Sequence, residues 1–119
     1  VFTTRPDTLL GVSFLAIAAD HSFVDECNRD VQEYCKNLIK RDTSRNNREK
    51  ETPNGLFTGI FAIHPVTNNK IPIWIANYVL TGYGTGAVMG VPAHDHRDNK
   101  FARKYKLEII KVIKKNFYH

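Results

Sequence analysis

Gly82-Tyr83-Gly84-Thr85-Gly86-Ala87-Val88-Met89-Gly90-Val91-Pro92-Ala93-His94-Asp95-His96-Arg97-Asp98 is the stretch whose reading sets the fold class. Its glycines suit a tight turn and a close approach of a ligand to the backbone. Residues 85–92 read as a small buried strand ended by Pro92, and residues 95–106 read as a helix. Two imidazoles and two carboxylates therefore fall at a strand-to-helix junction, where an α/β protein usually keeps its chemistry. The glycine run lacks the Lys-Ser/Thr pair of a phosphate-binding P-loop and precedes a strand, not a helix.

Upstream, Phe57, Gly59, Phe61 and Ile63 alternate with Thr58, Ile60, Ala62 and His64, and Thr67-Asn68-Asn69 leads into residues 70–80. Asparagine tolerates the left-handed backbone of a tight turn, so this reads as a β-hairpin with Ile71, Ile73, Ile75 and Val79 on one face. Residues 1–4 read as extended chain, broken by a turn at Pro6-Asp7, and residues 10–19 as a buried strand. Asp20 or Ser22 can cap a helix carrying Phe23, Val24 and Cys27. A second helix sets Val31, Tyr34, Cys35 and Leu38 on one face. Residues 43–55 read as an exposed loop and 108–114 as a last strand. The order β-β-α-α-β-β-β-α-β predicts an α/β (α+β mixed) fold: a mixed sheet or small β-barrel with peripheral helices.

A chain of 119 residues holds one domain at most, and 42% hydrophobic with 24% charged residues is ordinary for a soluble globular protein. No apolar run reaches the roughly 18 residues that span a bilayer. The net charge of +5 suits a polyanionic partner or a plain solvated face, and charge alone leaves both open. Cys27 and Cys35 have apolar neighbours and are expected to be buried free thiols; without a CxxC pattern a structural zinc is not expected. Val1 reads as a position inside a strand, so the chain is expected to be a fragment cut at both ends.

On a helix turning about 100° per residue, Asp98 falls beside Phe101 and Ala102 and near Tyr105, the apolar stripe, while His96, Arg103 and Lys104 point away. A buried carboxylate must be paired, hydrogen-bonded or protonated. An ion pair with Arg5, a helix N-terminal contact and an awaited cationic ligand all remain open. Asp95, one turn earlier, suits a cap. His94 could serve as a general base, a donor to substrate or a polar strand end. Thr3-Thr4-Arg5-Pro6-Asp7-Thr8 gathers three hydroxyls, a guanidinium and a carboxylate, able to hold water and ligand hydroxyls or simply to close a turn. The expectation is that this knot faces residues 93–98 across one pocket. A metal-dependent hydrolase is the remote alternative. His94-Asp95-His96-Arg97-Asp98 matches the HxHxD opening of a metallo-β-lactamase-type site, but that pattern continues with His where Asn99 stands. His21, His64 and His119 suggest no coherent further ligands, so no metal is expected.

Taken together, Thr3 through Gly11 and Tyr83 through Asp98 resemble the editing domain of leucyl-tRNA synthetase, the connective-peptide domain inserted into the class I catalytic core. Ile71-Pro72-Ile73-Trp74-Ile75-Ala76-Asn77-Tyr78-Val79-Leu80 and Phe101-Ala102-Arg103-Lys104-Tyr105 extend the resemblance, which covers most of the chain outside residues 20–55. Valyl and isoleucyl enzymes share related TTRP and GTG motifs, but the Pro6-Asp7-Thr8 and Arg97-Asp98 combination is similar to the leucyl type. The resemblance implies the class I editing-domain fold, with residues 1–119 as one truncated editing domain. It implies hydrolysis of isoleucine, valine, methionine or norvaline esters of leucine tRNA. Thr3, Thr4 and Asp98 would carry the chemistry, the threonines around substrate and attacking water and Asp98 on the α-ammonium. Thr8 would be the steric gate against leucine, and Arg5 would hold the terminal adenosine. Asp7, Met89, Val91, His94 and Asp95 would complete the substrate wall. No cofactor is implied for editing; ATP and Mg belong to the parent enzyme's synthetic site. The implied partners are the 3′ end of leucine tRNA carrying a noncognate amino acid and the rest of the synthetase, with no membrane, in the cytoplasm or an organelle. The alternative is a module that binds the tRNA end or an amino acid without turnover in isolation.

Overall fold

The apolar alternation in Phe14-Leu15-Ala16-Ile17 sends side chains to opposite faces of a central strand, and the rest of the domain is built on those two faces. The computed structural model describes residues 6–44, 53–79 and 86–110, with side chains from Leu9 to Lys40 in the first of these ranges. Strands β1 (Phe14–Ile17), β2 (Gly55–Ile63), β3 (Lys70–Ala76) and β4 (Ala87–Gly90) form one sheet in the order β2-β3-β1-β4. β1 pairs in parallel with β3 and antiparallel with β4, and β2 pairs antiparallel with β3. Helices α1 (Arg29–Ser44) and α2 (His96–Tyr105) complete a mixed α/β fold. Among the described residues the sheet is open, with β2 and β4 at its edges.

Ile17, Ile73 and Ile75 face Val31, Cys35 and Leu38 of α1. Phe14, Ala16, Ala18 and Ala76 face the other way, onto Phe101 and Ala102 of α2. The parallel register, Leu15 against Ile73 and Ile17 against Ile75, keeps like-facing residues together. Burying each large aliphatic side chain contributes about 1.5–3 kcal/mol. Cys27 and Cys35 are free and buried in the first cluster, and burial pushes the Cys35 thiol up to about 11.

The hairpin forms as its alternation predicts, with Asn68 at a left-handed φ of 62°. A bulge interrupts β2 between Phe57 and Phe61, where Gly59 adopts a φ of 83°. His64 closes the hairpin: its Nδ1 accepts from the Val66 and Thr67 N–H groups, and its Nε2 lies 2.8 Å from the Leu9 carbonyl. With Nδ1 accepting, Nε2 carries the proton and donates, tying the N-terminal segment to the hairpin.

Other boundaries differ from the sequence reading. The strand expected over residues 10–19 keeps only Phe14–Ile17, because Pro6–Gly11 is a 3-10 helix. Residues 22–26 form a 3-10 helix rather than an α-helix, capped by His21 instead of Asp20 or Ser22. Asn28 then accepts from the Val31 N–H and starts α1 afresh, so the two helical segments cannot merge. The loop expected over 43–55 loses its ends to α1 and β2. Val79 lies beyond β3 and packs with the α2-side cluster, apart from Ile73 and Ile75. Residues 108–110 form no strand: α2 ends at Lys106 with φ 58°, and Leu107 N–H returns to the Ala102 carbonyl. The expected strands over 1–4 and 111–114 lie outside the described residues.

Candidate active site

Two local signals make the strand-to-helix junction. Pro92 ends the apolar run after β4, and Asp95, in extended backbone, accepts the Asp98 N–H at 2.9 Å as the N-cap of α2. Between them the His94 and Asp95 N–H groups both return to the Val91 carbonyl at 3.0 Å, and the Asn99 amide holds the Pro92 carbonyl at 2.9 Å. This small turn aims the first turn of α2 back over the sheet. Asp98, Phe101, Ala102 and Tyr105 then share the inward stripe. Phe101 stacks on Phe14 at 5.3 Å and meets the Trp74 ring edge-on at 5.4 Å, which fixes the helix against β1 and β3.

Asp98 is only 5% exposed, and each of its oxygens accepts one hydrogen bond. Its Oδ1 accepts the Tyr78 hydroxyl at 2.5 Å, and its Oδ2 accepts the Val91 N–H at 3.0 Å. Burial pushes its carboxyl above the usual range. The bonds from Tyr78 and Val91 and the charge of Arg97 oppose that rise, and Asp95 adds to it. Burial beside Asp98 also drives the Tyr78 phenol far above its ordinary range, so Tyr78 stays a protonated donor. The Arg97 guanidinium lies 5.2 Å from the centre of the Tyr78 ring.

A cleft of about 430 Å³ opens at this carboxylate, lined by Tyr78, Val79, Val88, Met89, Asp95, Arg97 and Asp98. It joins an apolar wall from β4 to a polar one from the start of α2. That is what a ligand with a short hydrocarbon chain and a cationic group requires. Among the described residues no group of three or more His, Cys, Asp or Glu side chains is placed to hold a metal ion.

Of the residues singled out from the sequence, Met89, Asp95 and Asp98 meet in this cleft. Val91 contributes its backbone N–H to Asp98. His94 is exposed and is not among the described cleft-lining residues. Asp7 and Thr8 lie on the Pro6–Gly11 turn, whose side chains are described only from Leu9 onward, and Thr3, Thr4 and Arg5 lie outside the described residues. The backbone beyond that turn runs beside β4, with the Ser13 N–H on the Gly90 carbonyl at 3.0 Å. Sequence reasoning gave no site role to Tyr78, Val79, Val88 or Arg97. The signal for Tyr78 was a lone phenol just past a strand end, and its partner stands 20 residues away.

The chain matches the family model of the leucyl-tRNA synthetase editing domain over residues 1–118. A leucine–tRNA ligase of Chlamydia muridarum is 54% identical over 95% of this chain and 14% of its own length. One from Borreliella afzelii is 52% identical over 98% of this chain and again 14% of its own. Among solved structures, an Agrobacterium radiobacter K84 LeuRS in a ternary complex with tRNA and LeuAMS superimposes with a TM-score of 0.81 at 37% identity. That match covers 94% of this chain and 14% of the other. The chain thus spans about one seventh of the relatives it matches. The agreement of sequence and fold means that this chain belongs to the family of leucyl-tRNA synthetase editing domains.

Proposed function

We propose that this chain is the hydrolytic editing module of a leucyl-tRNA synthetase, clearing isoleucine, valine, methionine or norvaline from the 3′ end of leucine tRNA. The observation that carries this reading is the buried Asp98 carboxylate, opening beside Met89 and Val88 into a cleft of amino-acid size. Asp98 receives the α-ammonium of the aminoacyl group, and the apolar wall receives its side chain. Thr8 is the gate that clashes with the γ-branched cognate side chain. Thr3 and Thr4 hold substrate and water, Arg5 holds the terminal adenosine, and Asp7, Val91 and Asp95 complete the wall, with the exposed His94 at its outer rim. The partners are the acylated tRNA end and the rest of the synthetase, in the cytoplasm.

The chemistry asks little beyond placement. An aminoacyl ester is already activated, so fixing its ammonium aligns the carbonyl for a held water, and hydroxyl or backbone donors stabilise the developing charge. Neither a metal nor a cofactor is required; ATP and Mg serve the synthetic site elsewhere in the parent enzyme. Selectivity is the harder task. One methylene in an apolar pocket discriminates by only about 1–3 kcal/mol, so a clash against leucine does more than a better fit to isoleucine.

Deacylation of isoleucyl- and leucyl-tRNA(Leu) by the full-length synthetase carrying this sequence tests the assignment. The unmodified enzyme should hydrolyse the isoleucyl ester and spare the leucyl ester. Thr8→Ala should attack both, and Asp98→Ala should lose at least about 100-fold in rate on the isoleucyl ester. Normal editing by Asp98→Ala would overturn the reading. Tight binding of the tRNA end without hydrolysis by the unmodified enzyme would favour a binding module instead.

A further inference from the structure

Asp98 is held by more than the helix it sits on. The chain leaves β3 at Ala76, and two residues later it presents a phenol to a carboxylate 20 positions away. We propose that Tyr78 is a positioning residue for Asp98: its hydroxyl holds the carboxylate oriented toward the cleft, ready for the substrate's α-ammonium. This rests on the editing reading of Asp98 given above.

Geometry carries the argument. Tyr78 takes one carboxylate oxygen at 2.5 Å and the Val91 N–H takes the other at 3.0 Å. With a fixed donor on each oxygen, the carboxylate plane cannot turn without losing both bonds. A carboxylate offers about four acceptor positions, so two remain for an incoming cation. Tyr78 itself is fixed. Its ring meets Phe101 edge-on at 5.7 Å, and the Arg97 guanidinium covers it at 5.2 Å. Val91 holds Oδ2 from just beyond β4 and Tyr78 holds Oδ1 from just beyond β3, so the anion is clamped by two separate segments at once.

The same bond governs the charge. Among the described residues, the titratable and charged groups acting on Asp98 are Tyr78, Asp95 and Arg97. Burial is the largest influence and favours the protonated acid; the Tyr78 bond is the first of those opposing it. Without the hydroxyl, Asp98 takes up its proton at a higher pH, and a protonated acid no longer attracts an ammonium. Arg97 lies over the same ring, but its guanidinium cannot replace a donor directed at Oδ1.

The pH profile of isoleucyl-tRNA(Leu) deacylation by the full-length synthetase, corrected for spontaneous hydrolysis, separates positioning from simple support of the fold. Tyr78→Phe keeps the ring and removes only the hydroxyl. Its acid limb should move to higher pH by about 1 unit, the equivalent of one charge-assisted hydrogen bond. Activity should recover on the alkaline side. A uniform loss of rate with an unmoved limb would mean that Tyr78 only braces the turn, and would overturn the proposal. Asp98→Asn distinguishes the two levels of failure. If it edits like the unmodified enzyme, the ammonium role of Asp98 falls and this inference falls with it. If it is inactive while Tyr78→Phe keeps the original limb, the editing reading stands and only the role of Tyr78 is lost.

Discussion

A carboxylate on the inward stripe of a helix works against the fold that contains it. Folding raises the proton affinity of Asp98 above that of the open chain, because burial outweighs its hydrogen bonds. The stability it contributes is therefore fully present below its ordinary value of 3.8 and is lost as pH rises through the folded value. Above that folded value the charge is held at some expense of stability. The helix N-terminus offsets part of that expense by about 0.3–1 kcal/mol. Asp98→Asn should accordingly melt no lower than the unmodified protein, while deacylation falls by at least about 100-fold. A thermal-shift scan beside the activity assay checks both, and a clear drop in Tm would show Asp98 to be chiefly structural. Asp98 was legible in the sequence because helical periodicity is local: Phe101, Ala102 and Tyr105 mark the stripe by themselves. Tyr78 was not legible. Nothing near it encodes a partner 20 residues away, and only the packing of the segment after β3 against α2 brings the two together.

Elements with short-range grammar were read well, and those defined by partners were not. The β2–β3 hairpin announces itself through alternation and Asn68, and α2 through its cap and stripe. By contrast β1 was overestimated, because an apolar run does not say how many residues will find hydrogen-bonding neighbours. Phe14–Ile17 is the part paired with β4 and nearly all of it with β3. The segment before α1 was misread for a related reason. His21 and Asn28 both use side chains to catch backbone N–H groups two or three residues on, so the first of the two expected helices is only a 3-10 turn and the second makes its own start. Asp95 belongs to the same grammar and also faces the cleft, so its cap and its site role need separating. Asparagine caps as well as aspartate, whereas alanine does not. Asp95→Ala should destabilise by about 1 kcal/mol and Asp95→Asn by only a few tenths, read from urea midpoints. A deacylation defect shared equally by both would assign Asp95 a role through its charge; a defect confined to alanine would assign it to the cap.

At the scale of the molecule, the sheet divides the interior in two. Leu38 belongs with Ile17, Ile73 and Ile75 on the α1 side, whereas Phe101 belongs with Phe14 and Ala76 on the α2 side, where the cleft also lies. Phe101 is fully buried and meets four rings: Tyr105 at 4.9 Å, Phe14 at 5.3 Å, Trp74 at 5.4 Å and Tyr78 at 5.7 Å. It therefore sets the height of α2 over the sheet and the seat of Tyr78 together. Stability and activity should respond differently on the two sides. Leu38→Ala removes a buried aliphatic side chain and should cost about 2–5 kcal/mol, yet leave deacylation near normal well below the melting range. Phe101→Leu removes less volume and should cost about 1–3 kcal/mol. It also lets α2 settle differently on Phe14 and loosens Tyr78, so deacylation should fall about tenfold or more, since small misplacements of reacting groups lower rates steeply. Parallel melting curves and low-temperature deacylation rates make the comparison. If activity followed stability, with Leu38→Ala the worse enzyme, the cleft would depend on the whole core, and the sheet would not isolate it from the α1 side.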